Sequence, residues 1–215
     1  MFKFRSFGVM AAIGIILLIN SMALAGGRNN NISTAKLSDQ EIEDLQHLRD
    51  EEKLARDVYL YFYDIYGKPI FSNIAASEQQ HMDAVKTLLD RYGINDPVSG
   101  LERGEFAYYQ ELYDQLTADG TPAEGEQLLD ALQRALYVGA TIEDMDIVDI
   151  QIMITHTNRF DLINVYENLM KGSRNHLRSY CDLLYTLYDY EYIAQFLSQG
   201  EVDAILDSDK EIGKR

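Results

Sequence analysis

Apolar residues in this chain recur at three- and four-residue steps over four long stretches. No stretch alternates with the period of a strand, so the pattern is that of amphipathic helices. Ser38-Asp39-Gln40-Glu41 is a capping box, in which a hydroxyl and a carboxylate satisfy backbone N–H groups of a first turn; the stripe Leu45, Leu48, Ala55, Tyr59, Phe62, Tyr66 follows it as far as Gly67. A second helix is predicted from Phe71 or Ser72, with Ile74, Val85, Leu88 and Tyr92 on one face and Gly93 as its stop. Residues 93–104 are punctuated as a loop by Asn95-Asp96-Pro97 and Ser99-Gly100, and 105–119 reads as a shorter amphipathic helix. Thr121-Pro122-Ala123-Glu124 has the form of a capping box with proline at the first helical position. It predicts a third long helix, carrying Leu128, Leu132, Leu136, Gly139, Ile150 and Met153 until a break at 155–158. The last long helix places Leu162, Tyr166, Leu169, Ser173, Tyr180, Leu183 and Leu187 inward, and Ser198 caps a short terminal helix.

Two long helices, a crossover, then two more long helices make an all-α fold: a four-helix bundle with a helical crossover between helices two and three and a short C-terminal helix. Each of the four apolar stripes is interrupted by residues that bind metals: Glu52, then Glu78 with His81, then Glu143 with Asp146, then His176. An uncompensated buried carboxylate or imidazolium costs several kcal/mol, roughly, so four interruptions at matching depth point to a shared cation. Glu78 and His81 are three apart and lie on neighbouring turns of one face, so they can grip one ion together. Glu52 reads either as part of the charged patch Asp50-Glu51-Glu52-Lys53 or, by its phase with Leu45, Leu48, Ala55 and Tyr59, as pointing inward, whereas Glu51 falls out of phase. Glu143 and Asp146 lie deep in a helix if it runs unbroken from Pro122, or in a first turn if the chain breaks at Gly139-Ala140-Thr141. Tyr59 reads either as core packing or as a donor to a carboxylate, and Arg174 and Arg178 as a solvated face or as balancing charge. His47 and His156 sit near helix ends and read as ordinary polar residues.

Composition narrows the chemistry. The 215 residues carry a formal net charge of −16, and a surface that acidic repels nucleic acid and anionic membranes while attracting cations. One cysteine, Cys181, allows no intramolecular disulfide and no thiolate cluster, which leaves carboxylate and imidazole as ligands. Residues 1–25 differ from the rest: Lys3 and Arg5, an apolar run from Val9 to Ile19, and Ala23-Leu24-Ala25 form the pattern of a secretory signal. Cleavage after Ala25 removes two positive charges, taking −16 to −18. The expected organisation is a signal at 1–25, a flexible leader at 26–37, a bundle at 38–206 and a tail at 207–215. The protein is then exported and free of the membrane, the alternative being an uncleaved N-terminal anchor.

The segment Glu52-Lys53-Leu54-Ala55-Arg56-Asp57-Val58-Tyr59-Leu60-Tyr61-Phe62 resembles the first metal-bearing helix of ferritin-like proteins of the rubrerythrin type, and Glu78-Gln79-Gln80-His81 resembles their second. Those stretches, with Gly139-Ala140-Thr141-Ile142-Glu143-Asp144 and Gly172-Ser173-Arg174-Asn175-His176-Leu177-Arg178, are more closely similar to the domain of unknown function 2202. The resemblance implies a bundle with a dinuclear iron or manganese centre; it does not supply a reaction. It also exposes a departure, because a second Glu-x-x-His needs glutamate where Ser173 stands. Asp146 could replace that carboxylate from the neighbouring helix, and the site holds two ions or one accordingly. Rubrerythrins carry a cysteine-ligated electron-transfer segment that one cysteine cannot build, so any electron donor must be external.

The function expected from these readings is redox chemistry on oxygen, peroxide or the metal itself, at a site of Glu52, Glu78, His81, Glu143, Asp146 and His176. The competing readings are a non-catalytic helical bundle that binds metal or a protein partner, and iron storage in a closed shell. Whether copies assemble into a homo-oligomer stays open.

Overall fold

The computed structural model describes residues 36–212, so the segment expected to be a secretory signal and residues 26–35 of the expected leader lie outside the described part. Among the described residues there are six helices and no strands. The four long ones are α1 (Asp39–Tyr66), α2 (Pro69–Tyr92), α4 (Leu128–Thr155) and α5 (Phe160–Tyr188); α3 (Gln110–Gly120) rides on the crossover and α6 (Gln199–Leu206) follows the bundle. Short links pair α1 with α2 and α4 with α5. The two hairpins close on each other through α1 against α4 and α2 against α5. No helix among the described residues is long and apolar enough to cross a membrane.

Local chemistry sets most of the boundaries. The Ser38 hydroxyl and the Glu41 carboxylate form the expected capping box, and Gly67 ends α1 in the left-handed conformation at φ 60°. Proline at the first helical position starts α2 at Pro69, two residues before the predicted Phe71. Two other starts move by more. Residues 104–109 are not helical, because buried acids of α1 claim their backbone N–H groups: Asp57 accepts from Gly104 at 3.0 Å and Asp50 from Tyr108 at 2.7 Å. The motif at Thr121-Pro122 does not cap a helix, and α4 begins at Leu128. Gly125 sits at φ 77°, which a helix cannot use, and Glu126 folds back to accept from the Ala123 N–H at 2.8 Å. The Arg134 guanidinium then ties Glu126 and the carbonyls of Asp119 and Thr121 into a compact turn. At the ends of their stripes Leu128 and Leu187 are exposed, so neither belongs to the core.

The core is split in two. A larger apolar cluster runs from Leu54 through Tyr59, Phe62, Phe71, Leu136, Ile142 and Tyr180, and a smaller one joins Leu45, Leu48, Val85, Leu88, Ile150, Leu162 and Tyr166. Glu52, Glu78, His81, Ser173 and His176 occupy the chain between the two clusters on α1, α2 and α5, so a polar layer crosses the bundle. Along α4 the helix runs through Gly139 without a break, which puts Glu143 and Asp146 deep inside it.

Other buried acids tie down the periphery. Asp144 accepts from the backbone N–H groups of Gln195, Phe196 and Leu197 and from the Tyr192 hydroxyl, anchoring the segment after α5. Lys53, nearly fully buried, reaches Asp57 at 2.6 Å and the Glu102 carbonyl at 2.8 Å. Arg174 and Arg178 bind Glu211, so part of the predicted tail packs back on α5. At the other end Leu37 is buried and the Lys36 carbonyl accepts from Arg159.

Gly139 lets the Tyr180 ring lie flat against α4, where an added Cβ would stand 2.5 Å from ring carbons. Overpacking of a tight core site costs about 1–3 kcal/mol. Gly139→Ala is expected to destabilise the bundle by that amount in urea denaturation, and an unchanged midpoint would show that the ring has room to move.

Candidate metal centre

Five of the six predicted ligands meet in the polar layer. Glu52 from α1 and Glu78 with His81 from α2 form one group, and Glu78, Glu143 from α4 and His176 from α5 form another; in each group one donor atom per residue lies within 4.8 Å of the others. Glu78 belongs to both. His81 Nδ1 stands 2.7 Å from Glu78 and 3.1 Å from Glu52, while His176 Nδ1 stands 2.8 Å from Glu78 and 3.3 Å from Glu143. The two imidazoles lie side by side with ring centroids 5.7 Å apart.

These contacts are short but are mostly not hydrogen bonds. Only the one from His81 to Glu52 has hydrogen-bond alignment; both oxygens of Glu78, Glu143 Oε2, Glu52 Oε1 and His176 Nδ1 are buried without a partner. A buried polar atom without a partner costs about 1–3 kcal/mol, more when charged, so the group is a donor set that asks for a partner the described protein residues do not supply. Oxygen and imidazole donors in this ratio fit iron or manganese.

The surroundings orient the donors. The Tyr59 hydroxyl donates to Glu143 Oε1 at 2.5 Å while its ring packs in the larger apolar cluster, so both of its readings are observed. Ser77 Oγ lies 3.0 Å from His176 Nε2 and fixes the ring with Nδ1 turned toward the carboxylates. Gly172 on α5 leaves the space that the His81 ring fills, since a Cβ there would stand 2.5 Å from His81 Nε2. A cleft of about 660 Å³, lined in part by Ile74, Ser77, Gly172 and His176, reaches the layer from outside between α2 and α5.

Without metal, charge within the layer is balanced by protons. Burial pushes Glu52 up to about 8 despite the facing His81. Burial also acts to raise Glu78, but the imidazoles of His81 and His176 outweigh it and hold that carboxyl well below its usual range. Burial works against charging His176, yet Glu78 and Glu143 carry it up to about 10.

Asp146, the sixth predicted ligand, is buried in the layer but belongs to neither group, and both its oxygens lack partners. The neighbour that weighs most on it is Glu51. Ser173 is fully buried and donates to the Leu169 carbonyl, so it satisfies its own helix.

A family described as an uncharacterized protein domain, DUF2202, matches residues 41–209. This chain belongs to the DUF2202 family. An uncharacterized protein of Methanocaldococcus jannaschii, MJ0754, is 47% identical over 179 residues, covering 82% of this chain and 92% of the relative. The crystal structure of hypothetical protein MJ0754 from Methanococcus jannaschii superimposes with a TM-score of 0.77 at 45% identity, over 84% of this chain and 99% of that one. The similarity extends to nearly the whole of MJ0754.

Sequence reasoning missed one feature of this DUF2202 chain. Glu51, read as an outward neighbour of Glu52, is 1% exposed with both carboxylate oxygens unpartnered. A helix carries its buried arc wider than one residue per turn where it is enclosed on two sides. Here α1 packs against α2 on one flank and against α3 and α4 on the other, so Asp50, Glu51, Glu52 and Lys53 are all buried.

Two outcomes follow from this geometry. Gly172→Ala is expected to push the His81 ring out of place and weaken metal binding about tenfold or more while the fold persists, by titration with Mn2+ and circular dichroism. In the unfolded chain His176 and Glu52 revert to about 6.5 and 4.5. The folded, metal-free protein therefore holds more protons, and the stability from His176, complete below about 6.5, is lost as pH rises toward 10. Melting temperature in chelator is expected to fall from pH 6.5 to 9, whereas the increment added by metal grows over that range, because metal requires deprotonated donors.

Proposed function

We propose that this chain is a ferritin-like metalloprotein that holds two iron or manganese ions between α1, α2, α4 and α5 and performs redox chemistry on oxygen, peroxide or the metal itself. The observation that carries the reading is the sharing of Glu78 by two three-residue groups, each with its own imidazole and its own second carboxylate. Three carboxylates and two imidazoles offset most of the charge of two divalent ions without a glutamate at Ser173. Bound iron or manganese supplies a couple that moves between oxidation states and a Lewis acid that polarises oxygen.

The protein's own part is to hold and orient. Glu52 with His81 and Glu143 with His176 would each hold one ion, with Glu78 common to both groups and His81 and His176 offering Nδ1. Tyr59 keeps Glu143 turned inward through its hydrogen bond, and Ser77 holds the His176 ring in place. The apolar clusters above and below close the layer off along the bundle. The cleft beside His176 admits something the size of dioxygen or peroxide from the α2–α5 side. Cys181 is buried in the larger apolar cluster, away from the donor set, so reducing equivalents come from an external donor.

Protein isolated from its native compartment is expected to contain about two iron or manganese ions per chain by elemental analysis. Glu78→Gln is expected to lose both, and His81→Ala at least one. Loaded protein should change its visible spectrum with oxygen or peroxide and recover with reductant. Unchanged metal content in both variants would remove the site, and full occupancy without spectral response would leave a structural ion.

A further inference from the structure

The interface of α1 with α4 contains a second set of buried donors that the centre built on Glu78 does not use. Glu51 and Asp146 are each 1% exposed, and none of their four carboxylate oxygens has a hydrogen-bond partner. The Asp149 and Asp146 carboxyls both bear electrostatically on Glu51, and Asp149, half-buried, carries the row to the surface.

Among the described residues no protein cation neutralises this row. On α1, Lys53 is held by Asp57 and the Glu102 carbonyl, Arg49 by Asp96, and Arg56 by Asp57 and Gln79. From Ala135 to Thr155, α4 contains no lysine, arginine or histidine. His47, half-buried and stacked on Tyr108, is the one basic group whose charge bears on Asp149, and it sits at the rim. Three carboxyls in a row, two of them sealed from water, repel one another by several kcal/mol at a low effective dielectric, roughly, unless a cation or protons intervene.

We infer that the α1–α4 seam is a second cation site, formed by Glu51 with Asp146 and Asp149, that takes a divalent ion with oxygen ligands and lies between solvent and the main centre. The three carboxyls do not converge as tightly as the two groups around Glu78, since they form no comparable group within 4.8 Å. Glu51 is therefore the common ligand, the aspartates flank it, and water completes the shell, an arrangement suited to a labile ion with hard ligands. Asp146 couples the two sets electrostatically, because Glu51 and, after it, Glu52, Glu143 and Glu78 all act on it. An ion entering at Asp149 is thus led toward the centre along carboxylates only.

The test counts Mn2+ bound per chain by equilibrium dialysis and elemental analysis, with circular dichroism to verify folding. The Glu51→Gln/Asp149→Asn variant, which keeps side-chain volume and leaves Asp146 in place, is expected to bind one ion fewer than wild type. His81→Ala/His176→Ala is expected to retain one ion, and adding the seam substitutions should remove it. If the double seam variant does not fold, Asp149→Asn alone, at the rim, is expected to weaken that ion about tenfold or more. Equal stoichiometry and affinity in wild type and the seam variants would overturn the site and assign the carboxyls to shared protons. Loss of an ion from the seam variants alone, with the histidine variant unchanged, would uphold the seam while refuting the Glu78-centred site.

Discussion

A buried carboxylate must be given a donor or a cation, and this bundle sorts its acids by which of the two they receive. Asp57 has Lys53, Arg56 and a backbone N–H, and Asp144 has three backbone N–H groups and a tyrosine hydroxyl. Glu51, Glu78 and Asp146, equally buried, have no hydrogen-bond donor on either oxygen. The first class converts burial into rigid attachment of the crossover and the C-terminal segment. The second leaves a standing electrostatic demand in the middle of the molecule, which only protons or metal ions can meet.

That demand shapes the packing around it. The core is divided into two apolar clusters with the acidic layer between them, so the helices are clamped above and below the donors rather than through them. Tyr59 and Tyr180 roof the layer on one side, with ring centroids 5.5 Å apart, and Gly139 and Gly172 provide the clearance that lets Tyr180 and His81 approach. Positions of small residues on α4 and α5 thus matter as much to the site as the ligands, because they set how closely the helices bring their side chains together.

Reading along the chain recovers the ligands because helical phase is a local property. Glu52, Glu78, His81, Glu143 and His176 each fall on an apolar stripe at three- or four-residue spacing, and the bundle brings all five together. The same logic fails where a segment's backbone partners are remote. The predicted helix at 105–119 loses its first turn to Asp50 and Asp57, about fifty residues earlier in sequence, and the motif at Thr121-Pro122 yields to a turn organised by Gly125 and Arg134. Glu51 was misread for a related reason: one apolar stripe does not report that a helix is covered on a second flank.

The chain by itself determined the all-helical class, the four long helices and five residues that the fold gathers as candidate metal donors, since periodicity, caps and residue chemistry are written within a few turns of one another. Only the tertiary structure decided that Glu78 is shared between two groups, that Asp146 stands outside both of them, and which acids are satisfied by donors. Those outcomes depend on how helices distant in sequence pack side by side, and whether a buried charge finds a partner is a property of that packing alone.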